Sequence, residues 1–449
     1  MRALLFAGLA FGVLAGRPIR AQAPQTLDDF VQVALRDNRG RQQTRYALEA
    51  ARAGVREAGG RWLPSATINA RYTELSGNVL NFGALLNPAF SALNGLLGQP
   101  AFPTGIDLRL PLKQETTVRL QQTLFAPAIS AGVAASRAVE RVRGAERDQQ
   151  ARQLAWQVRT GYLQWARATK GAEILDATLG VLDEQLRVTE RLVANGVATP
   201  DAVARVVAER SAVAQQRDDA RRLERAAREQ FNVLLNRPLD ATVPLLGDEA
   251  LGLGALPALE AVLPNAPQRR DEVRQLSAAR DAAAAQQRAA QSAFLPTVGV
   301  AIDHGWQGNY YSFTTNRDFT TASVVLSWNL FNGRQDEMRV EQARLDVARL
   351  AAQRAEVEQQ VALDVSVTHA AAVVSASAIR TARARLDAAE QAWNLVRRRR
   401  EAGAATLLEA LDARTAYTNA QLNLLLTTYD YHLRCADFER AAALYPRTF

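Results

Sequence analysis

The sequence predicts a mainly α-helical chain that also carries four β-strands, arranged as two copies of one unit. Three observations support this fold class. Features of the first half return in the second half at a nearly constant offset, a heptad pattern continues for about six heptads in each half, and four segments alternate apolar and polar residues. Together they indicate long packed helices joined to short paired strands.

The composition fits long helices better than one large globular core. The 449 residues are 48% hydrophobic but only 6% aromatic, and alanine is frequent in every helical stretch. The net charge of +8 comes from arginines spread between acidic residues, which indicates solvated helix faces and no nucleic-acid-binding patch. The single cysteine, Cys435, and three separated histidines argue against a disulfide framework and a metal centre.

Residues 1–23 are predicted to be a secretory signal peptide. A charged start precedes an apolar run over 3–15, and the Ala-Gln-Ala sequence at 21–23 offers a cleavage site. The alternative is an apolar N-terminus without an export role. Arg17 stands where a lipidated cysteine would be needed, so we expect no acyl anchor. No later stretch has 18 consecutive apolar residues, so we expect no transmembrane helix.

The first unit is predicted to span residues 24–237. Leu-Pro at 63–64 separates its opening helix from the first strand, and the longest helix has 66 residues, or roughly 100 Å at 1.5 Å per residue. The predicted elements are, in order, a helix over 26–60, a strand over 65–73, a loop over 76–115, a strand over 116–125, a helix over 130–195 and a helix from Pro200 to Asn236.

A Pro/Leu/Gly-rich linker over 238–265 leads to the second unit, residues 266–449. Leu-Pro recurs at 295–296. The predicted elements are, in order, a helix over 267–293, a strand over 297–304, a loop over 306–319, a strand over 320–331, a long helix ending before Gly403 and a helix from about Leu407 to Tyr445.

The strands raise a problem of closure. Each is about as long as a tilted membrane-crossing strand, which needs roughly 9–11 residues. Four strands are too few for a barrel, and an open sheet cannot stand in lipid. A soluble sheet of two hairpins is the alternative, and the export signal weighs against it.

The long helices carry the stronger signal. A spacing of four and three residues runs from Leu154 to Val193, and the second half keeps it in the same phase from Val361 to Arg400. Such continuity predicts helices that pack along their whole length. Each long helix ends in a Gly-x-x-Thr turn of small residues that would allow close approach. The two turns are Gly196-Val197-Ala198-Thr199 and Gly403-Ala404-Ala405-Thr406.

At this point the chain resembles the TolC-type outer-membrane efflux proteins, over essentially all of its mature length. The resemblance depends on the doubled layout, the two Leu-Pro sequences, Leu-Phe-Asn-Gly at 330–333 and the turn over 401–412. It implies a homotrimer in which each subunit gives four strands to one 12-stranded transmembrane β-barrel. A coiled-coil barrel of α-helices would continue through the periplasm.

The resemblance also implies a function. The chain would be the outer-membrane channel of a tripartite efflux or secretion system, a passive conduit in contact with outer-membrane lipid. A periplasmic adaptor protein would dock on the two Gly-x-x-Thr turns, and an inner-membrane pump would supply the energy. A conduit requires no catalytic residue or cofactor, and the sequence has no nucleophile elbow, phosphate loop or H-E-x-x-H motif. We therefore expect no enzyme activity.

The resemblance further implies a tunnel gate at Glu409 and Asp412. They are three residues apart and share a helix face, so a trimer would bring six carboxylates around one axis. The alternative is two ordinary carboxylates favoured by the dipole of a helix start. Family positions that tie the closed tip with Tyr and Arg hold Arg400 and Ala405 here. The arginine run over 397–400 could replace that tie, although a solvated charge run is the favoured interpretation.

Two other classes of function compete with the conduit. A secreted or periplasmic coiled-coil structural protein would explain the heptads but has no need of four alternating strands. A periplasmic enzyme or metal binder is disfavoured by the missing motifs.

Overall fold

The computed structural model describes residues 26–74, 76, 80–110, 112–247 and 256–445. The predicted signal peptide, and residues 248–255 of the predicted linker, lie outside the described residues.

The first half contains its two longest helices as one hairpin, preceded by two long and two short strands. Its elements are α1 (Leu27–Asp37), α2 (Arg39–Gly60), β1 (Ser65–Tyr72), β2 (Leu80–Asn81), α3 (Phe82–Leu97), β3 (Arg109–Leu110), β4 (Gln114–Phe125), α4 (Pro127–Ala194) and α5 (Pro200–Leu234).

The second half ends in a hairpin of matching size. Its elements are α6 (Leu259–Val262), α7 (Ala266–Arg269), α8 (Asp271–Gln291), β5 (Thr297–Gly308), β6 (Asp318–Ser327), α9 (Gln335–Glu401) and α10 (Leu407–Ala441), with short 3-10 turns at Leu263–Asn265 and Ser292–Phe294. One constant offset along the chain relates the end of α4 to the end of α9, and both ends of α5 to those of α10.

Three of the sequence-based secondary-structure predictions were wrong, each for a local reason. The helix predicted over 26–60 breaks at Asn38, whose side-chain oxygen accepts hydrogen bonds from the backbone of Gly40 at 2.9 Å and Arg41 at 3.3 Å and so starts a new helix. The strand predicted to reach residue 331 ends at Ser327, because its partner β5 begins at Thr297. The loop predicted over 76–115 contains the helix α3.

The four long strands form one antiparallel sheet in the order β1-β4-β5-β6. Its two edges are therefore β1 and β6. The register is continuous apart from one irregularity between Thr123 and Phe125, at the end of β4 that leads into α4. The second sheet consists only of the short strands β2 and β3.

The pleat of the large sheet separates an apolar face from a polar one. On one face Ile68 lies opposite Val118, and Val300 lies opposite Val324. Ile68 and Val324 remain 73% and 74% exposed within the single chain. The other face carries ion pairs between neighbouring strands, such as Arg119 with Asp303 at 2.7 Å. Both faces therefore meet something other than this chain's own core.

The core lies where the long helices pass α1, α2 and α8. In the first half an aromatic cluster of Phe30, Tyr162, Trp165 and Phe231 has ring centroids 5.2–5.7 Å apart. The Tyr162 hydroxyl donates to Pro244 O at 3.2 Å and accepts from Leu246 N at 2.6 Å, which secures the extended chain after α5. Burial raises the pKa of Tyr162 to about 12.

The second half has a smaller core at matching positions. Val361, Val365 and Phe438 are buried together there, and each occupies the position equivalent to a buried residue of the first core. The equivalent residues of the first core are Leu154, Val158 and Phe231.

Candidate functional site at the tip of the helical hairpins

Both Gly-x-x-Thr turns end their helices in the same way. Gly196 has φ +71° and Gly403 has φ +73°, a conformation that side chains other than that of glycine disfavour. The next residue then donates its N–H back to the helix. Val197 N donates to Leu192 O at 2.8 Å, and Ala404 N donates to Arg399 O at 2.7 Å. These bonds satisfy carbonyls that a helix end leaves open, so both turns are tight and fixed.

The two turns lie at the same end of the molecule. Leu407 and Leu411 from the start of α10 pack in one cluster with Leu186 near the end of α4 and Val206 near the start of α5. In both turns the first, second and fourth residues are exposed and the third is half-buried. The chain therefore presents two similar blunt tips side by side.

The helices that leave the two turns start differently. Thr199 precedes Pro200 and makes no side-chain cap on the backbone of α5. A hydrogen bond with Thr199, assisted by the charge of Arg205, lowers the pKa of Asp201. Thr406 instead forms a capping box. Its hydroxyl accepts from Glu409 N at 3.2 Å, while its own N–H donates to Glu409 Oε2 at 3.2 Å.

The predicted gate residues therefore have two different environments. Glu409 is exposed but also completes the cap of α10. Asp412 is exposed one turn further on, and within the described part of the chain no hydrogen bond or ion pair engages it. The single chain thus brings the two carboxylates onto one helix face near the tip and leaves both open to solvent.

The arginine run before the second turn stays within its own hairpin. Arg399 donates to Ala404 O at 3.0 Å and so braces the turn itself. Arg400 is half-buried, and this burial lowers the pKa of its guanidinium. Among the described residues, neither Arg400 nor Ala405 makes a side-chain hydrogen bond to the other hairpin.

A polar contact between the hairpins occurs instead two turns into α10, at Arg414. Its guanidinium donates to Thr178 Oγ1 on α4 at 3.3 Å and lies over the ring of Trp393 on α9, 5.5 Å from the centroid. Burial lowers the pKa of Arg414. Its Nε is buried without a hydrogen-bond partner in the described part of the chain. Arg414 therefore brings three helices into contact.

Two further contacts accompany Arg414. The hydroxyls of Thr178 and Thr418 are 3.2 Å apart and buried, and Thr415 Oγ1 donates to Glu209 Oε1 on α5 at 2.7 Å. Sequence reasoning missed this cluster, because its members come from opposite halves of the chain and no motif joins them. The one available signal was the polar Thr178 beside the apolar heptad positions of α4.

Two features of the tip can support a function, namely its exposed charges and its small side chains. No group of three or more His, Cys, Asp or Glu among the described residues could hold a metal ion. The exposed carboxylates can attract cations, and the small residues of the turns can admit another protein surface.

The second half of the chain matches a known protein family. Residues 262–442 match the outer membrane efflux protein family. A comparison with curated protein sequences finds no match.

Solved structures of outer-membrane proteins share the fold over nearly the whole chain. VceC of Vibrio cholerae superposes with a TM-score of 0.73 at 18% identity, over 93% of this chain and 95% of VceC. The open-state channel MtrE of Neisseria gonorrhoeae gives 0.74 at 19% identity, over 93% and 89%. The channel CmeC of Campylobacter jejuni gives 0.76 at 13% identity, over 98% and 94%.

The matches support the predicted family, function and location, and they do not favour a secreted coiled-coil structural protein. The family consists of channel proteins, not enzymes. The second half of the chain thus matches the outer membrane efflux protein family, and nearly the whole chain has the fold of solved outer-membrane channels.

Proposed function

We propose that three copies of this chain form one continuous conduit, with twelve strands in the outer membrane and twelve long or returning helices below them. The observation that carries the proposal is the open sheet with edges β1 and β6. In a bilayer each unpaired backbone group at such an edge costs several kcal/mol, roughly as for any buried polar group without a partner. Pairing of β6 with β1 of the next copy removes both edges.

The helices support the same assembly. By length and composition alone, α9 contains a window apolar enough to cross a membrane, and only 11% of that window is buried within the chain. The same helix pairs Asp364 with Arg270 at 3.4 Å, in the core region outside the sheet. Its exposed apolar residues, such as Leu363 and Val367, fit a neighbouring copy better than lipid.

The two halves act as repeats of one unit in this proposal. Their hairpins end at equivalent positions, Ala194 in the first half and Glu401 in the second, so a trimer would present six similar tips. The polar sheet face, with the Arg119–Asp303 pair, would line the lumen, and the apolar face would meet lipid. Residues 24–237 and 266–449 remain our proposed limits of the two repeats.

A periplasmic adaptor protein is the proposed partner of the tips, and an inner-membrane pump supplies the energy. The tips suit docking because Val197 is 72% exposed and Ala404 is exposed beside it in the equivalent turn. Tight turns fixed by backbone bonds present such residues without an ordering cost.

Introducing a charge at the tips should abolish efflux. Val197→Asp and Ala404→Asp leave the glycines in place, so the turns keep their backbone, but each puts a carboxylate into the docking surface. We expect loss of dye efflux by cells that also contain the adaptor and pump, with unchanged channel abundance in the outer membrane. Gln216→Asp, at an exposed polar position midway along α5, is the control. Normal efflux by both tip variants would exclude the docking role.

The proposed gate is the ring formed by Glu409 and Asp412 of three copies. Symmetry multiplies each exposed carboxylate by three around the axis, and such a ring attracts cations and holds back anions. Since Glu409 also caps α10, a change to Ala would mix loss of charge with loss of the cap.

Removing only the charges separates the two roles. Glu409→Gln with Asp412→Asn keeps the side-chain oxygens for the capping box. In planar bilayers we expect higher single-channel conductance and a cation preference reduced about two- to fivefold, on the order of the effect of exposed charges. Block by divalent cations should disappear. Glu337→Gln with Asp346→Asn, at the other end of α9, is the control. Unchanged conductance and selectivity would mean that these carboxylates serve only the helix start.

The proposed latch that holds the two hairpins together is the cluster of Arg414, Thr415 and Thr418 on α10 with Thr178 and Glu209. The conduit must widen for large substrates, and this widening would separate α10 from α4 and α5. A hydrogen bond to a charged group contributes about 1.5–3 kcal/mol. Loss of such bonds would favour the open tip.

Breaking the latch should increase channel opening. Arg414→Met keeps the aliphatic stem, and Thr415→Val keeps the shape of the side chain. We expect the double variant to show about a tenfold longer open time in planar bilayers, because about 1.4 kcal/mol corresponds to a factor of ten. Thr427→Val is the matched control, since that hydroxyl bonds only Asn423 O of its own helix. Equal open times in the double variant and the control would contradict the latch.

A further inference from the structure

The helix α3 has an environment that the conduit does not explain. From residue 80 to residue 106 the sequence contains no charged side chain. α3 is also predominantly apolar in composition. Nevertheless Leu85 and Leu96 are 72% and 85% exposed in the single chain. An apolar helix face is ordinarily covered, so we expect something apolar to cover the exposed face of α3.

One face of α3 forms a continuous apolar stripe. Leu85, Ala89, Ala92 and Leu96 follow each other at intervals of four, three and four residues, so they line one side of the helix. All four residues are exposed. No polar side chain interrupts the stripe.

The opposite face is tied to the chain that returns after the helix. Asn87 exchanges two hydrogen bonds with the backbone of Ile106, at 2.8 and 2.9 Å. Asn94 exchanges two with the backbone of Phe102, at 2.7 and 2.8 Å. Gly83 allows this close approach, because a Cβ there would lie 1.7 Å from Ile106 O. The stripe is thereby turned away from the rest of the chain.

A third asparagine provides a partner for another backbone group that water would otherwise serve. Asn81 caps the helix start by accepting from Gly83 N at 2.9 Å, and Gly98, with φ +65°, ends the helix. Polar groups in a low-dielectric environment are costly unless they are hydrogen-bonded, and here they are paired within the segment itself.

The position of α3 in the fold identifies that surface. β1 and β4 reach α3 at the end of the sheet opposite to the long helices, so α3 lies at the extracellular end. The Asn309 side chain donates to Asp107 O at 2.8 Å and brings the β5–β6 loop alongside. This loop exposes Tyr310, Tyr311 and Phe313. Exposed aromatic rings are characteristic of the level where a barrel leaves the bilayer.

We propose that α3 lies in the outer leaflet of the membrane, with the stripe Leu85–Ala89–Ala92–Leu96 against lipid acyl chains. A neighbouring copy is the alternative occupant, and the experiment below distinguishes it from lipid. The helix would thus anchor each subunit at the membrane surface. The proposal rests on the barrel proposed above.

Spin labels can identify what covers the stripe. Cys435 is the only cysteine and is buried, so Cys435→Ala provides the background. Leu96→Cys is labelled in protein reconstituted into phospholipid vesicles, and collisions with oxygen and with a water-soluble nickel chelate are compared. Oxygen concentrates among acyl chains and the chelate stays in water. Three references complete the set: Val324→Cys for lipid, Val197→Cys for water and Ser91→Cys for the opposite side of α3.

We expect the label at Leu96 to match that at Val324, with frequent oxygen collisions, few nickel collisions and an oxygen-to-nickel ratio at least threefold above that at Ser91. Frequent nickel collisions at Leu96 would place the stripe in water and overturn the proposal. Few collisions of either kind would show a protein partner and overturn it as well. If the label at Val324 itself shows few oxygen collisions or frequent nickel collisions, the proposed barrel is wrong, and the proposal for α3 is wrong with it.

Discussion

The two unpaired edges of the four-stranded sheet are the constraint on which the rest of the structure depends. A helix satisfies its own backbone, but a strand in lipid must find a neighbour on each side. β4 and β5 have such neighbours within the chain, whereas β1 and β6 have one each. The single chain is therefore incomplete in the membrane, and its two-faced sheet and half-exposed helices are consistent with a part that is finished only by other copies.

The two helical hairpins have matching lengths and matching turns in both halves of the chain. Both hairpins turn at a glycine of positive φ, Gly196 and Gly403, and both return helices end at a second residue of positive φ, Asn236 in the first half and Ala443 in the second. The separation between turn and end is the same in both halves. Equal helix lengths place the two tips at one level, which is what a common docking surface requires. The long heptad pattern then keeps the helices in contact from the core to the tip.

Much of this architecture could be predicted from the sequence, because long strands and helices carry periodic signals. Alternation predicted the four long strands, and the heptad pattern with Gly-x-x-Thr predicted both hairpins. α3 escaped prediction because the Asn, Gly and aromatic residues of its segment indicated a loop, while its stability comes from asparagines that bind residues up to 19 positions away. At the tip, Thr406-x-x-Glu409 is a capping-box pattern that the sequence displays. The Arg414 contacts depend on packing between distant helices, which no local pattern reveals.

The central claim is that the open sheet is completed by three copies of the chain. Native mass spectrometry of protein extracted from outer membranes in mild detergent measures this directly. The account predicts one dominant species with three times the mass of the mature chain, which dissociates only when the sheet signal in circular dichroism is lost. A folded species with the mass of a single chain, and with the sheet signal intact, would contradict it.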